Sequence, residues 1–174
     1  MYIRDGSLSL RNAVLEDASI LCDWWNDGKV MAHAGFPNGI GTTNQEVSDS
    51  IKSNTDQNRL LIIENNGIPI GEMNYRTVND GVAEIGIKIC INQEQGKGNG
   101  TRLLRMLINT LFNDLGYNKI ILDTNLNNIR AQHVYEKLGF KKVRVNIDAW
   151  RDQLGELQSS VDYELLKDDY LKAE

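Results

Sequence analysis

The chain has 174 residues, of which 41% are hydrophobic and 25% are charged. This length and composition predict one globular domain over residues 1–174, because the chain is short for two full domains. The net charge of -5 argues against general nucleic-acid binding. No apolar run approaches the ~20 residues of a membrane span and no signal peptide is recognisable, so we expect a cytoplasmic protein without membrane contacts.

Cysteine and histidine are scarce, which limits the possible chemistry. Cys22 and Cys90 occur without a CxxC pattern, and we interpret them as buried free thiols in a reducing compartment. Only His33 and His133 are present, too few for a histidine-based metal site or catalytic triad. We therefore predict no metal.

The charges are unevenly distributed along the chain. The segment 95–145 carries 9 Lys and Arg against 3 Asp and Glu, so the remainder is strongly acidic. Chance clustering of solvated charges is one explanation. The other is an anionic ligand on one side of the protein and a cationic ligand on the other.

The first half of the chain predicts a strand, helices and a meander. Residues 8–11 alternate like a strand, and a helix follows from Glu16 and Asp17. Its adjacent Trp24 and Trp25 must point about 100° apart, so one can be core while the other lines a cleft. A connector over 35–43 is a candidate mobile loop before a weak helix at 44–53.

Three strands with tight turns between them follow. Residues 60–64 and 68–76 are strand-like and residues 82–91 alternate cleanly, with Asn66-Gly67 and Asn79-Asp80-Gly81 as hairpin turns. Together they predict an antiparallel meander.

The second half predicts a βαβαβ unit. A helical stripe over 101–115 ends at Gly116, and a short buried strand follows at 119–123, parallel to the strand that precedes the helix. Asn127 or Asn128 caps a second helix that stops at Gly139. Strands at 140–147 and 161–166 close the chain, joined by a long loop through Trp150. The predicted fold class is mixed α/β (α+β), with a central mixed sheet flanked by helices.

A glycine-rich loop, Gln95-Gly96-Lys97-Gly98-Asn99-Gly100, joins the meander to the first of these helices. Glycine tolerates positive φ, so such a loop can turn several backbone N–H groups toward one point. The next helix adds its own unpaired N–H groups and its positive dipole end. The loop therefore predicts a phosphate site.

Spacing excludes two common phosphate motifs. No glycine fits the P-loop pattern G-x-x-x-x-G-K-[ST]. The dinucleotide pattern G-x-G-x-x-G fails because Thr101 stands in the place of its third glycine. That motif also follows the first strand of a parallel sheet, whereas this loop follows an antiparallel meander.

The loop and a second segment resemble the GCN5-related N-acetyltransferases (GNAT family). Residues 95–100 fit that family's [Q/R]-x-x-G-x-[G/A] signature, and residues 128–140 fit its N-x-x-A-x-x-x-Y-x-x-x-G-F segment at the usual separation. The resemblance covers essentially the whole chain in element order. The Trp24-Trp25-Asn26-Asp27 helix and the closing strand 161–165 are similar to the branch of ribosomal-protein N-terminal and spermidine acetyltransferases.

The resemblance implies acetyl-CoA as donor and a primary amine as acceptor. The pyrophosphate would lie on the loop backbone, and the pantetheine arm would follow main-chain groups near residues 89–91, between two separated strands. The implied CoA-binding residues are Ile89, Ile91, Gln95, Gly96, Lys97, Gly98, Asn99, Gly100, Thr101, Asn128 and Arg130. For Asn128, a plain helix cap is the competing role. A solvated surface charge is the competing role for Lys97 and Arg130.

Acetyl transfer needs a neutral amine, a stabilised oxyanion and a protonated leaving thiolate. Tyr135 occupies the family's usual position for the general acid, although a core aromatic would give the same pattern. Glu84 and Glu72 are the alternatives for the base, with Glu84 favoured, and water alone remains open. No cysteine lies in either motif, so we expect direct transfer in a ternary complex.

The acceptor is predicted only as a class, a small cationic amine or a protein N-terminus. Trp24, Trp25, Glu72 and Trp150 are expected to shape its pocket. The acyl group could differ from acetyl, and a homodimer is left open. The rival function is a non-catalytic CoA-binding regulatory module with the same fold.

Overall fold

The computed structural model describes residues 1–173, which are organised around an eight-stranded sheet with the order β1-β2-β3-β4-β5-β6-β8-β7. Strands β1 to β8 are Tyr2–Asp5, Leu8–Asn12, Asn58–Asn65, Ile68–Asn79, Val82–Ile89, Lys119–Asn125, Lys141–Arg151 and Leu157–Leu166. Helices α1 to α6 are Ala18–Asn26, Gly28–Met31, Asn44–Lys52, Asn99–Asn109, Ile129–Lys137 and Lys167–Ala173. The mixed sheet flanked by helices confirms the predicted fold class.

The antiparallel part of the sheet is larger than the sequence predicted. The three predicted strands correspond to β3, β4 and β5, and β2 and β1 extend the meander on its outer side. Strand β1 was not predicted because Tyr2–Asp5 is a short edge strand whose residues are mostly exposed, so no alternation marks it.

Helices cover both faces of the sheet, and β3 shows why. Leu61 and Ile63 belong to the core beneath α4 and α5, whereas Leu60 and Ile62 belong to the core beneath α1 and α3. A strand buried on both faces reads as a continuous apolar run, as residues 60–63 do.

Strands β5 and β6 run parallel, as predicted, but they pair over only three positions. Their register ends at Glu84 opposite Ile121. Beyond that point β6 pairs only with β8, and within residues 1–173 the backbone of 85–89 has no strand partner on the side facing β6. The sheet therefore splits at this point.

Several local expectations require correction. Trp150 lies in strand β7, and a tight turn at 152–156, not a long loop, joins β7 to β8. The connector 35–43 is not free, because Gln153 donates from its backbone N–H to the Gly35 carbonyl and from Nε2 to the Gly39 carbonyl. Isolated sequence patterns could not reveal contacts across more than a hundred residues.

The helices also differ from expectation at their ends. Helix α4 ends at Asn109 and continues as a π-helical turn, Thr110–Asp114, before Gly116 with φ of 78°. Helices α2 and α6 were not predicted. No helix in the described part of the chain has the length and apolarity to cross a membrane.

Substitution of Leu107 tests the packing of α4 on the sheet. Leu107 is fully buried, so Leu107→Ala should lower the free energy of unfolding by about 2–5 kcal/mol through lost burial and a residual cavity. Arg105→Ala, on the exposed side of the same helix, should change it by less than about 0.5 kcal/mol. Urea unfolding followed by circular dichroism measures both, and equal losses would contradict this packing.

Candidate active site

The split between β5 and β6 opens into a cleft of about 890 Å3. Its walls are β5 from Glu84 to Ile89 and β6 from Asp123 to Asn125. The glycine-rich loop and the start of α5 close one end, which we call the loop end. Lys29, Val30, His33, Ala34 and Trp150 also line the cleft, and we call the part that they line the far end.

The loop end presents unpaired backbone donors. In residues 1–173, the N–H groups of Gly96, Lys97 and Gly98 donate no hydrogen bond to the protein. Helix α4 begins directly after them and contributes the free N–H groups of its first turn, with Thr101 and Gly100 lining the cleft. An anion here would meet several donors and the positive end of the helix dipole.

Two glycines of the loop require their special backbone freedom. Gly96 and Gly98 have φ of 77° and 81°, in the left-handed region. A Cβ added at Gly98 would meet no protein atom within 4 Å, so the space beside it is open. The conformation and the open space together fit close approach of a ligand to the backbone.

Side chains within the loop hold its shape. The buried Asn99 amide donates to the Glu94 carbonyl and carboxylate, and Lys97 pairs with the same carboxylate at 3.0 Å. Gln95 Nε2 donates to the Ile89 carbonyl at 2.8 Å, which ties the loop to the end of β5. The side chains of Lys97 and Asn99 thus serve the loop and do not line the cleft.

The predicted main-chain segment at 89–91 is displaced along the strand. Ile91 lies outside the cleft, and its N–H donates to the Ile70 carbonyl at 3.2 Å. Ile89 lines the cleft, but its carbonyl already accepts from Gln95. The strand edge that faces the cleft is therefore 85–89, because pairing with β6 stops at Glu84.

Asn128 and Arg130 lie at the start of α5, as predicted. Asn128 Oδ1 caps the helix by accepting from the Ala131 N–H at 3.2 Å, which leaves its NH2 group available in the cleft. Arg130 lines the cleft beside the loop, with Nη1 3.5 Å from Gln95 Oε1. The cap role and a ligand role of Asn128 are compatible.

Tyr135 is both a core aromatic and a cleft residue. Its ring packs edge-on against Phe140 and Tyr163. The side chain lines the cleft, and its hydroxyl has no hydrogen-bond partner in the described residues. Burial, assisted by the negative charge of Asp123, raises the pKa of Tyr135 to about 12. The phenol therefore stays protonated at neutral pH and can donate a proton.

Glu84 lines the cleft where the strands separate, but it is not free. Arg76, directly opposite on β4, binds its carboxylate with a closest distance of 2.6 Å. In this ion pair Glu84 supplies negative charge to the cleft, while one of its oxygens is already occupied.

Asp123 is a cleft residue that the sequence reasoning missed. It lies on β6, two residues beyond the last pair with β5, and makes no ion pair within residues 1–173. Although it is accessible from the cleft, reduced hydration of its carboxyl raises its pKa, and the negative charges of Glu84 and Asp162 add to the effect. The polar residue at the end of the short buried strand was the available signal.

Glu72 and the tryptophan pair occupy positions behind the cleft. Trp24 is buried in the core beneath α1 and α3, so the expectation that it lines the acceptor pocket is wrong. Trp25 does not line the cleft either, and its Nε1 donates to Glu72 Oε1 at 3.0 Å. Glu72 is itself buried and accepts from the cleft residue Lys88, so it cannot contact an acceptor directly.

Trp150 lines the far end, as expected, and helps to fix its shape. A Cβ at Gly35 would lie 2.3 Å from the Trp150 ring, so the ring packs directly on that glycine's backbone. Gly35 has φ of 93°, which few other residues adopt. Lys29 and His33 line the same end.

Comparisons with known proteins identify relatives of this chain. Residues 7–141 match the family described as acetyltransferase (GNAT) domain. Aminoglycoside N(6')-acetyltransferase type 1 of Klebsiella pneumoniae is 29% identical over 150 residues, which are 78% of this chain and 75% of that protein.

Two solved structures share the fold closely. Spermidine N-acetyltransferase from Vibrio cholerae, in complex with CoA and spermine, has a TM-score of 0.85 and 22% identity, covering 96% of this chain and 99% of that chain. RimL, a ribosomal L7/L12 alpha-N-protein acetyltransferase in complex with CoA, has a TM-score of 0.85 and 16% identity, covering 97% and 99%.

The electrostatic link between Glu84 and Asp123 can be measured directly. Glu84→Gln removes a negative charge that disfavours ionised Asp123, so the Asp123 pKa should fall. Carbon-detected NMR titration of the aspartate carboxyls measures the Asp123 pKa without any ligand. Glu16→Gln, which alters an exposed carboxylate in the turn before α1, serves as the control. An Asp123 pKa that is unchanged or higher in Glu84→Gln would refute the link.

Proposed function

The chain belongs to the GNAT acetyltransferase family, as its two motifs predicted, and on that premise we propose that it transfers acetyl from acetyl-CoA to a primary amine. The transfer is direct, within a ternary complex. The observation that carries this proposal is the placement of a protonated Tyr135 and an unpaired Asp123 in the same cleft as the glycine-rich loop. Donor-binding groups, an acid and a base thus share one space.

The donor is assigned to the loop end. The free N–H groups of Gly96 to Gly98 and the start of α4 suit the CoA pyrophosphate. Arg130 adds a positive charge beside them, and the NH2 of Asn128 suits a carbonyl of the pantetheine arm. The unpaired edge of β5 suits an arm that binds as an added strand would.

The reaction balances with groups of this chain. The amine nitrogen attacks the thioester carbonyl carbon, the C–N bond forms, and the C–S bond then breaks. Tyr135 donates its proton to the leaving sulfur. The proton lost from the amine passes to a carboxylate of the cleft, directly or through water.

Asp123 suits the role of base better than Glu84 does. Glu84 is held by Arg76, whereas Asp123 has no ion-pair partner in the described residues. Its raised pKa makes it a stronger base than an ordinary aspartate. Glu84 then acts through its charge, by keeping that pKa high and by attracting the ammonium form of the acceptor.

An acetyl-cysteine intermediate is disfavoured. Burial, assisted by the charge of Glu72, raises the pKa of Cys90 to about 12, so its thiol is neutral and a poor nucleophile. Cys90 is also absent from the cleft lining. Direct attack by the amine requires neither cysteine. Two free thiols also suit the cytoplasm as the location.

The acceptor follows from the relatives only as a broad class. Relatives whose names carry aminoglycoside, spermidine and ribosomal-protein acceptors are all amine acetyltransferases. A small cationic amine or a protein N-terminus is therefore the starting hypothesis for this chain. Screening a library of amines with acetyl-CoA, and measuring the free thiol that is released, tests this hypothesis. A protein that binds CoA but acetylates no amine would be a regulatory module instead.

Tyr135→Phe tests the acid. Loss of the hydroxyl should lower kcat by about 100-fold or more, while the CoA dissociation constant stays within about twofold because the ring remains. Tyr163→Phe is the matched control, since Tyr163 belongs to the same aromatic cluster but directs its hydroxyl to Glu136. An unchanged kcat in Tyr135→Phe would remove Tyr135 from the mechanism.

Gly98→Ala tests the phosphate site. Gly116 is a matched control, because its φ of 78° resembles the 81° of Gly98 and both have open space around a new Cβ. Both variants should lose about 1–3 kcal/mol of stability from backbone strain. Only Gly98→Ala should weaken CoA binding, by about tenfold or more in calorimetry; equal CoA affinity in the two variants would refute the assignment.

A further inference from the structure

The wall of β5 carries an ordered row of charges that the proposed mechanism does not fully use. Three cross-strand pairs with β4 lie on one face: Arg76 with Glu84, Asn74 with Gly86, and Glu72 with Lys88. The first and last pairs are ion pairs: β5 carries the carboxylate in the first and the ammonium in the last. The cleft side of β5 therefore presents a carboxylate, then a glycine gap, then an ammonium.

Lys88 lines the cleft, and its ammonium is held by groups behind it. Nζ donates to Glu72 Oε1 at 3.1 Å, and the side chain of Lys88 is 31% exposed while that of Glu72 is 3% exposed. The Trp25 indole donates to the same oxygen and fixes the carboxylate. An ammonium has three donors, so Lys88 retains donors for a ligand in the cleft.

A second cation lies at the far end without a counter-ion. Lys29 lines the cleft, and its ammonium forms no ion pair with any residue in 1–173. Asp123 is the unpaired carboxylate of the same cleft. The charges left over for an acceptor are thus of both signs.

The register places these charges at a useful separation. Glu84 is level with Ile121, so Asp123 on β6 lies about level with Gly86. Lys88 lies one two-residue step further along β5, on the same face. Such a step is about 7 Å. The groups that would meet an amine and an anion are therefore separated by the length of a small molecule.

From this arrangement we propose that the acceptor is a compact primary amine that also carries an anionic group, a carboxylate or a phosphate, bound by Lys88 and Lys29. The amine lies at Asp123 and Glu84, and the anion lies toward the two lysines. This inference rests on the proposed function and narrows its acceptor class. A polycation would place its second ammonium beside Lys88 and Lys29, where like charges repel.

A four-carbon series isolates the far group of the acceptor. 4-Aminobutanoate, butylamine and putrescine share one amine and one chain, and end in a carboxylate, a methyl and an ammonium. With acetyl-CoA saturating, kcat/KM should fall in that order, with 4-aminobutanoate about tenfold or more above putrescine, as expected for a charged hydrogen bond. A separate measurement with 3-aminopropyl phosphate shows whether the site prefers a phosphate or a carboxylate.

Two variants test whether the lysines cause the preference for an acceptor with an anionic group. Lys29→Met should reduce kcat/KM for 4-aminobutanoate about fivefold and leave butylamine within about twofold. Lys88→Met alone would leave Glu72 buried without its cation and would endanger folding. The second variant therefore combines Lys88→Met with Glu72→Gln. Lys52→Met, at an exposed lysine of α3, removes the same charge elsewhere and should leave the order intact.

The outcomes separate this inference from the function beneath it. Putrescine preferred over 4-aminobutanoate, or a preference for the carboxylate that survives both lysine variants, overturns the inference while leaving an acetyltransferase. Absence of turnover with every amine, although CoA binds, overturns the proposed function. Calorimetry of 4-aminobutanoate and putrescine with the CoA-saturated protein then tests the acceptor class without catalysis. Tighter binding of 4-aminobutanoate supports the inference, and equal or tighter binding of putrescine overturns it.

Discussion

The separation of β5 from β6 after three residue pairs is the constraint on which the rest of the site depends. A strand within a sheet normally satisfies its backbone groups on both sides, and leaving them unpaired in the interior is costly. Here the unpaired edge of residues 85–89 opens into the cleft, where solvent or a ligand can satisfy it. The fold thus maintains a gap beside an unpaired strand edge, and an extended ligand arm that binds as an added strand would suit it.

The other elements acquire their roles from this gap. The glycine-rich loop follows the free end of β5, and α5 follows the corresponding end of β6, so both helix N-termini meet at one end of the cleft. That end has backbone donors and Arg130, and suits an anion. The rest of the cleft has charges of both signs, since Lys29 and Asp123 are unpaired among the described residues and Glu84 is shared with Arg76. In the proposed mechanism, this difference in charge separates the donor from the acceptor.

The sequence predicted those parts of the site that depend on local chemistry. The glycine loop and the Asn128 cap were predictable because each follows from spacing within a few residues. The parallel β5–β6 pair was predictable because a strand–helix–strand order favours parallel strands. The split in the sheet was not, because it depends on how the whole ladder is packed. Asp123 was missed for the same reason, since its importance arises only where pairing with β5 has ended. Trp24 and Trp25 show a related limit: helical geometry fixes the angle between them but not which of the two faces the core.

Tyr135 shows that a core role and a chemical role need not compete. Its ring belongs to a buried aromatic cluster, and that burial raises the pKa of a hydroxyl that is already protonated at neutral pH. A general acid gains from being held in one orientation, because fewer rotamers must be lost before proton transfer. The same packing that would explain a purely structural tyrosine therefore also suits the acid.

The buried Glu72 illustrates how an ion pair can serve position more than stability. Removing a carboxylate from water costs about as much as its attraction to a lysine returns, so such pairs contribute little to the free energy of unfolding. What the pair contributes is direction: with Trp25 and Lys88 both donating to Oε1, the ammonium is held at the cleft wall. An uncharged residue at position 72 would leave Lys88 free to turn toward solvent. The sheet thus fixes a positive charge at the cleft wall, and under the proposed function an acceptor would have to accommodate it.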